Sequence, residues 1–130
     1  MVRSLAIAAG VIAIAGGAAS ASTSVGFYGC RSFTARHPLP IVRPRSIVLA
    51  CADANAYLAG IHWTAWKSMS ASGIGALHEN DCTPNCAAGH FNTFAAVVTL
   101  SLPRRCKGGT VFSRVSWLAR GKRSAIDYPC

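Results

Sequence analysis

Four side chains stand at a spacing suited to metal binding. His78, Cys82, Cys86 and His90 recur every four residues, and imidazole and thiolate are the ordinary ligands of zinc. On a helix the four would share a face. The residues between them argue against that helix: Pro84 removes a backbone donor, Gly89 is a weak helix former, and Asn80 and Asp81 compete for backbone hydrogen bonds. Thiols in an exported protein are oxidised rather than metallated. The expectation is therefore paired cysteines and solvated histidines, with no metal and no cofactor. Glu79 and Asp81 would share a face of an extended strand, which is the raw material of paired acid and base catalysis. Two carboxylates beside a turn more often form a solvated loop. The chain has no Gly-x-Ser-x-Gly elbow, and no free Cys beside a His is expected. The expectation is a protein without catalysis.

The compartment follows from the start of the chain and from its cysteines. Met1, Val2 and Arg3 form a short positive opening, Leu5 to Ala19 is apolar or small throughout, and Ala19-Ser20-Ala21 is a small-x-small cleavage site. A membrane-spanning helix needs about 20 apolar residues, more than this run supplies, and no later segment is long or apolar enough. The expectation is a cleaved signal helix over 1–21, a mature start near Ser22, and a secreted, extracellular protein without a membrane span. A lipid anchor on Cys30 is the lesser alternative. All 6 cysteines, Cys30, Cys51, Cys82, Cys86, Cys106 and Cys130, lie after the signal, and an even count in a small exported chain reads as a disulfide framework. Cleavage removes Arg3 from the 13 Lys and Arg and leaves 12 against 4 Asp and Glu, a net +8.

The remaining chain is one domain's worth. Residues 22–45 carry Pro38, Pro40 and Pro44 and no clear periodicity, so they read as an irregular arm tied down by Cys30. Phe27, Tyr28, Phe33, Leu39, Ile41 and Val42 in it need covering. Residues 46–130 read as a single β domain. Ser46–Cys51 is a β-branched run, Asp53-Ala54-Asn55 a turn, and Tyr57–Met69 a strand. Ser70–Gly75 is a small, flexible stretch leading into Ile74–His78. Phe91–Leu102 is the strongest strand, with Val98, Leu100 and Leu102 on one face and Val97, Thr99 and Ser101 on the other. Lys107-Gly108-Gly109 signals a hairpin turn, after which Val111, Val115 and Trp117 alternate with Arg114, Ser116 and Leu118. The fold class is all-β: a small antiparallel sandwich or barrel, disulfide-stabilised, preceded by a cleaved signal helix. In a meander, strand ends alternate between top and bottom. Cys51 should then meet Cys82 or Cys86, the arm could bring Cys30 to the other, and Cys106 is left for Cys130. A local Cys82–Cys86 bridge is the alternative.

Leu49-Ala50-Cys51-Ala52-Asp53-Ala54-Asn55, then Leu58, Trp63 and Trp66, then Asn80-Asp81-Cys82-Thr83-Pro84-Asn85-Cys86-Ala87-Ala88-Gly89, and then Val98-Thr99-Leu100 resemble a group of small, uncharacterised secreted proteins of actinobacteria. The resemblance runs from about Ser46 to Arg120, and the Cys-Thr-Pro-Asn-Cys-Ala-Ala-Gly stretch is its most specific part. It implies export and a disulfide-bonded domain, and no particular activity. The Asp-Gly turn of that group stands here as Asp53-Ala54, which puts the turn type in question, since Ala does not readily take a positive φ.

The basic charge favours anionic partners. Arg104, Arg105 and Lys107 fall at one end of the last hairpin, and Arg120, Lys122 and Arg123 at the other. The charge is split and no aromatic ladder tracks it, so nucleic acid is not expected as a partner. Trp63 and Trp117 fall on apolar strand faces, whereas Trp66 alternates with polar residues and is the better candidate for an exposed stacking platform. The expected function is a secreted, non-catalytic binding or structural module. Its ligand-binding residues would be Trp66, Arg104, Arg105 and Lys107, attracted weakly to anionic cell-envelope polymers or to an extracellular protein. The alternative is a small extracellular protease inhibitor that presents the Cys82–Cys86 loop. An exposed Trp66 on a flat face would favour the first, and a protruding, disulfide-flanked Thr83-Pro84-Asn85 the second.

Overall fold

A computed structural model describes residues 16–17 and 23–130; the signal segment and its cleavage site at Ala21 lie outside these, apart from Gly16 and Gly17. The described chain is all-β. The strands are β1 (Gly26–Phe27), β2 (Ile47–Val48), β3 (Ala56–Trp66), β4 (Ala71–Asn80), β5 (Phe91–Cys106), β6 (Gly109–Ala119) and β7 (Lys122–Asp127), and one helical turn, α1 (Arg31–Thr34), follows β1. They form one sheet in the order β1-β6-β5-β4-β3-β2. The run β3 to β7 is an antiparallel meander. β1 lies parallel to the start of β6, and β7 pairs along its later half.

The sheet curls into a half-barrel. Part of the curl comes from β3, whose register against β4 slips between Ala59 and His62 and again between Trp63 and Ala65. The first slip falls at Gly60, which takes a φ of +61°; bulges of this kind bend a strand and increase its twist. Alternation then decides the faces. Leu58, Val98, Leu100 and Val115 are fully buried on the concave side, while Val97 and Leu118, next to Val98 and Trp117 in sequence, point outward and are exposed.

The arm and the segment after it supply the other half of the core. Val25 and Phe27 of the arm, with Ile47 and Leu49 beyond it, join the strand residues in one buried cluster with Tyr128. Three aromatic donors bind arm and chain end to the sheet: Trp66 Nε1 to the Val25 carbonyl at 2.9 Å, Trp63 Nε1 to Pro44 at 2.8 Å, and the Tyr128 hydroxyl to Val48 at 2.9 Å. Phe27 and Ile41 exchange backbone hydrogen bonds at 2.9 and 3.0 Å. Gly26 is needed where the arm folds back, because a Cβ there would collide with Pro40. The arm is therefore part of the β domain's core, although Phe33, Leu39, Ile41 and Val42 stay exposed rather than covered.

Several sequence expectations are corrected. Ser70–Gly75 is not a flexible connection: from Ala71 onward it is strand, paired on both sides. Its residues are small because β3 crowds them; a Cβ on Gly73 would lie 2.7 Å from the His62 carbonyl and 3.1 Å from the Trp63 ring. The strand over Ser46–Cys51 shrinks to Ile47–Val48. Leu102 does not continue the buried row of Val98 and Leu100. Its φ of +54° turns the side chain out, half exposed, and Ser113 Oγ donates to its carbonyl at 2.8 Å. The strand Lys122–Asp127 was not foreseen.

The disulfides are Cys30–Cys51, Cys82–Cys86 and Cys106–Cys130. The last agrees with the strand order. The expected union of Cys51 with Cys82 or Cys86 does not form, although the two loops do meet. Asn80 Nδ2 donates both to Asn55 Oδ1 at 2.9 Å and to the Cys86 carbonyl at 2.8 Å, so an asparagine joins loops that a disulfide was expected to join. Cys30 instead meets Cys51 beside the β2 edge, where Cys30 Sγ also lies 3.2 Å from the Val48 carbonyl.

Candidate functional site

The meander sets charge at two ends of the half-barrel. One end holds the β3–β4 and β5–β6 turns. The other holds the residue 50–55 turn, the residue 81–90 loop and the β6–β7 turn. Arg104, Arg105 and Lys107 lie together at the first end, all exposed. The arm adds two groups that sequence reasoning missed. Arg36 and His37 share with Lys107 a cleft of about 290 Å³ that Tyr28 and Pro38 also line. Only the fold brings residue 36 to residue 107, through the return of the arm past Gly108, and no local pattern signals it. Three of the 4 carboxylates lie elsewhere. Asp53, Glu79 and Asp81 are at the opposite end. Asp127 is held by Arg114 through Nε at 2.6 Å and Nη2 at 2.8 Å. That pairing, with a smaller contribution from the Arg104 charge, holds the Asp127 carboxyl below its usual range. No other ion pair occurs among the described residues.

Arg120, Lys122 and Arg123 lie at the far end, as their strand order requires, so the basic residues are split as expected. Trp66 is not an exposed platform. It is half-buried, in edge contact with Trp63 at 4.9 Å and Phe112 at 5.6 Å, with the Arg43 guanidinium 6.0 Å from its ring centre. Its partial burial reflects the arm crossing over it, which alternation along β3 could not reveal.

The Cys82–Cys86 loop is braced from below. Asp81 Oδ1 accepts from the backbone of His90 at 3.0 Å and of Thr83 at 3.1 Å, which lowers the Asp81 carboxyl below its usual range. Asn80 Oδ1 accepts from Cys82 N at 2.9 Å, and Asn85 Oδ1 from Ala88 N at 2.9 Å. Thr83, Pro84 and Asn85 are exposed at its tip. The bridge takes both sulfurs of the His78, Cys82, Cys86, His90 quartet. His78 lies flat on Tyr57 at 4.6 Å, and its Nδ1 is 3.0 Å from Thr93 Oγ1. Glu79 and Asp81 do not act as a pair: Asp81 is spent on the loop, and Glu79 lines a cleft on the concave side.

No protein-family model, no curated protein and no solved structure matches the chain. Among the described residues no helix is long and apolar enough to cross a membrane.

Proposed function

We propose that this is a secreted, non-catalytic binding module that holds anionic cell-envelope polymer at the end carrying Arg36, Arg104, Arg105 and Lys107. The observation that carries the reading is the charge at this end: Arg36 and Lys107 line one cleft, Arg104 and Arg105 are exposed at the same end, and the Asp127 carboxylate is engaged by Arg114. Diffuse surface charge of this kind attracts polyanions weakly and is screened within about 8 Å at physiological ionic strength. Three disulfides suit an oxidising compartment, and N-terminal sequencing of protein from culture medium checks export: a start near Ser22 supports it, and an intact Met1 or an acylated Cys30 counts against it. The resemblance to secreted actinobacterial proteins points the same way.

A second reading has its own support. Thr83-Pro84-Asn85 is exposed between bridged cysteines, the feature that favours a protease inhibitor, whereas the half-buried Trp66 withdraws the stacking platform. The braced tip is a tight turn, closed by bonds from Asp81 and Asn85, and not an extended segment ready to add a strand to a protease cleft. Charge therefore leads. Immobilised phosphodiester wall polymer should retain the protein at low salt and release it by a few hundred millimolar, on the order of the salt that collapses screening lengths to a few Å. Changing Arg104, Arg105 and Lys107 together to Gln should weaken retention, and changing Thr83 and Asn85 to Ala should leave it alone. Binding that ignores salt and vanishes with the loop changes would put the inhibitor in its place.

A further inference from the structure

The concave trough of the half-barrel is filled at one end and keeps a cleft at the other, although its floor there, Leu77, Ala96, Trp117 and Ala119, is buried too. Over Leu100, Val98 and Val115 lie the arm and Tyr128. Further along, beside the small Ala119, a cleft of about 370 Å³ lies between Leu77, Trp117 and Ser124. That volume is within the range of small-molecule sites. Three charges line the cleft: Glu79 from β4, Arg120 from the β6–β7 turn and Lys122 from β7. None of them is ion-paired among the described residues, so both signs share one cleft without being in contact. Arg120 is also set in an unusual way. It takes a φ of +54° in the two-residue turn with Gly121, at φ +72°, where Asn is preferred over a long side chain, and its guanidinium stacks over Phe94, 4.6 Å from the ring centre.

We propose that this cleft binds a small zwitterion of the amino-acid type. Arg120 and Lys122 take the carboxylate, Glu79 takes the ammonium, and the side chain lies beside Trp117. A single charge would leave one sign of the rim unanswered; adjacent opposite charges on one small molecule answer both. The site lies at the opposite end from the polyanion surface and does not rest on it.

The experiment is a titration of the oxidised protein with L-phenylalanine, phenylpropionate and phenethylamine, followed by amide and indole shifts in NMR. L-Phenylalanine should move the Trp117 indole and the Arg120 and Lys122 amides. The two singly charged analogues should bind about tenfold more weakly, as loss of one charge-assisted contact implies. Glu79→Gln and Lys122→Gln, a half-buried and an exposed position, should each weaken L-phenylalanine about tenfold, while the spread of the amide spectrum reports that each variant is folded. Phenylpropionate binding as tightly as L-phenylalanine, with no effect of Glu79→Gln, would overturn the proposal in favour of a plain anion site. An absence of shifts at tens of millimolar ligand would overturn it outright.

Discussion

The filled and hollow halves of the trough are built from the same strands by the same alternation, and the sheet face is buried in both, but only one is closed over by the arm. In the filled half, Val98, Leu100 and Val115 meet Phe27, Ile47, Leu49 and Tyr128. In the hollow half, Leu77, Ala119 and Trp117 meet charged rim residues and a cleft. The difference lies outside the meander. The arm is long enough to cross one half, is pinned by the Trp63 and Trp66 hydrogen bonds, and is tied to the residue 50–55 turn by the Cys30–Cys51 bridge. What lies over a sheet face is thus decided by chain outside the sheet.

The largest effect should come from Phe27. Its ring is almost fully buried and meets Tyr128 edge-on at 5.2 Å. Phe27→Ala should cost about 3–5 kcal/mol, as is usual when a core aromatic is removed. Ser124→Val, on the wall of the cleft, should change stability by no more than about 0.5 kcal/mol. Urea unfolding of the two variants measures the contrast, and similar losses in both would mean that the hollow half is packed after all.

The bridges sharpen the same comparison. Cys30–Cys51 closes 21 residues and fastens the arm, while Cys82–Cys86 closes 4 and fastens only its own turn. Loop-closure entropy assigns about 3 kcal/mol to the first and about 2 to the second. The hydrogen bonds from Asp81 and Asn80 already order the small loop in part, so its true share is smaller. Thermal unfolding of the Cys30→Ala/Cys51→Ala and Cys82→Ala/Cys86→Ala double variants should rank them in that order. A greater loss from the small loop would refute the view that arm attachment dominates.

Tyr128 reports on the filled half through pH. Burial pushes its hydroxyl up to about 12 from an ordinary value near 10. Below pH 10 both folded and unfolded chains keep the proton, and the contribution is fully present. Between about 10 and 12 the unfolded chain ionises first, so stability falls with rising pH and the contribution is lost as the folded group titrates. Tyr128→Phe should make this alkaline fall shallower, at the expense of the bond to Val48 and about 1 kcal/mol at neutral pH. An unchanged slope would place the alkaline sensitivity elsewhere.

Much of the fold was legible because alternation is local. Val111, Val115 and Trp117 were set inward and Arg114, Ser116 and Leu118 outward from the sequence alone, and the Lys107-Gly108 turn follows from its glycines. Long-range facts were not legible. Trp66 read as exposed because nothing near it in sequence shows that Val25 accepts from its indole. Arg36 could not be joined to Lys107, nor Cys30 to Cys51, until the arm's path was known. Ser70–Gly75 read as flexible because small residues mean loose chain or close packing equally, and only the neighbouring Trp63 decides between them.

Ala54 gives the smallest effect and the most local one. It sits in the residue 50–55 turn at the hollow end, exposed, with a φ of +55° and its amide donating to the Ala50 carbonyl at 2.8 Å. A Cβ in this left-handed region costs roughly 1 kcal/mol or more, which glycine would not pay in the folded state. Glycine would lose about 0.4–1 kcal/mol through its freer unfolded chain. The two terms nearly offset, with the strain slightly larger, so Ala54→Gly should raise stability by up to about 0.5 kcal/mol, seen as a higher urea midpoint at an unchanged slope. Because the side chain touches no core residue in the filled half, the gain should persist unaltered in the Phe27→Ala background, as expected for distant, independent sites. A lower midpoint would mean that the turn is not held at positive φ in solution, and a gain that depends on Phe27 would mean that the two halves are coupled.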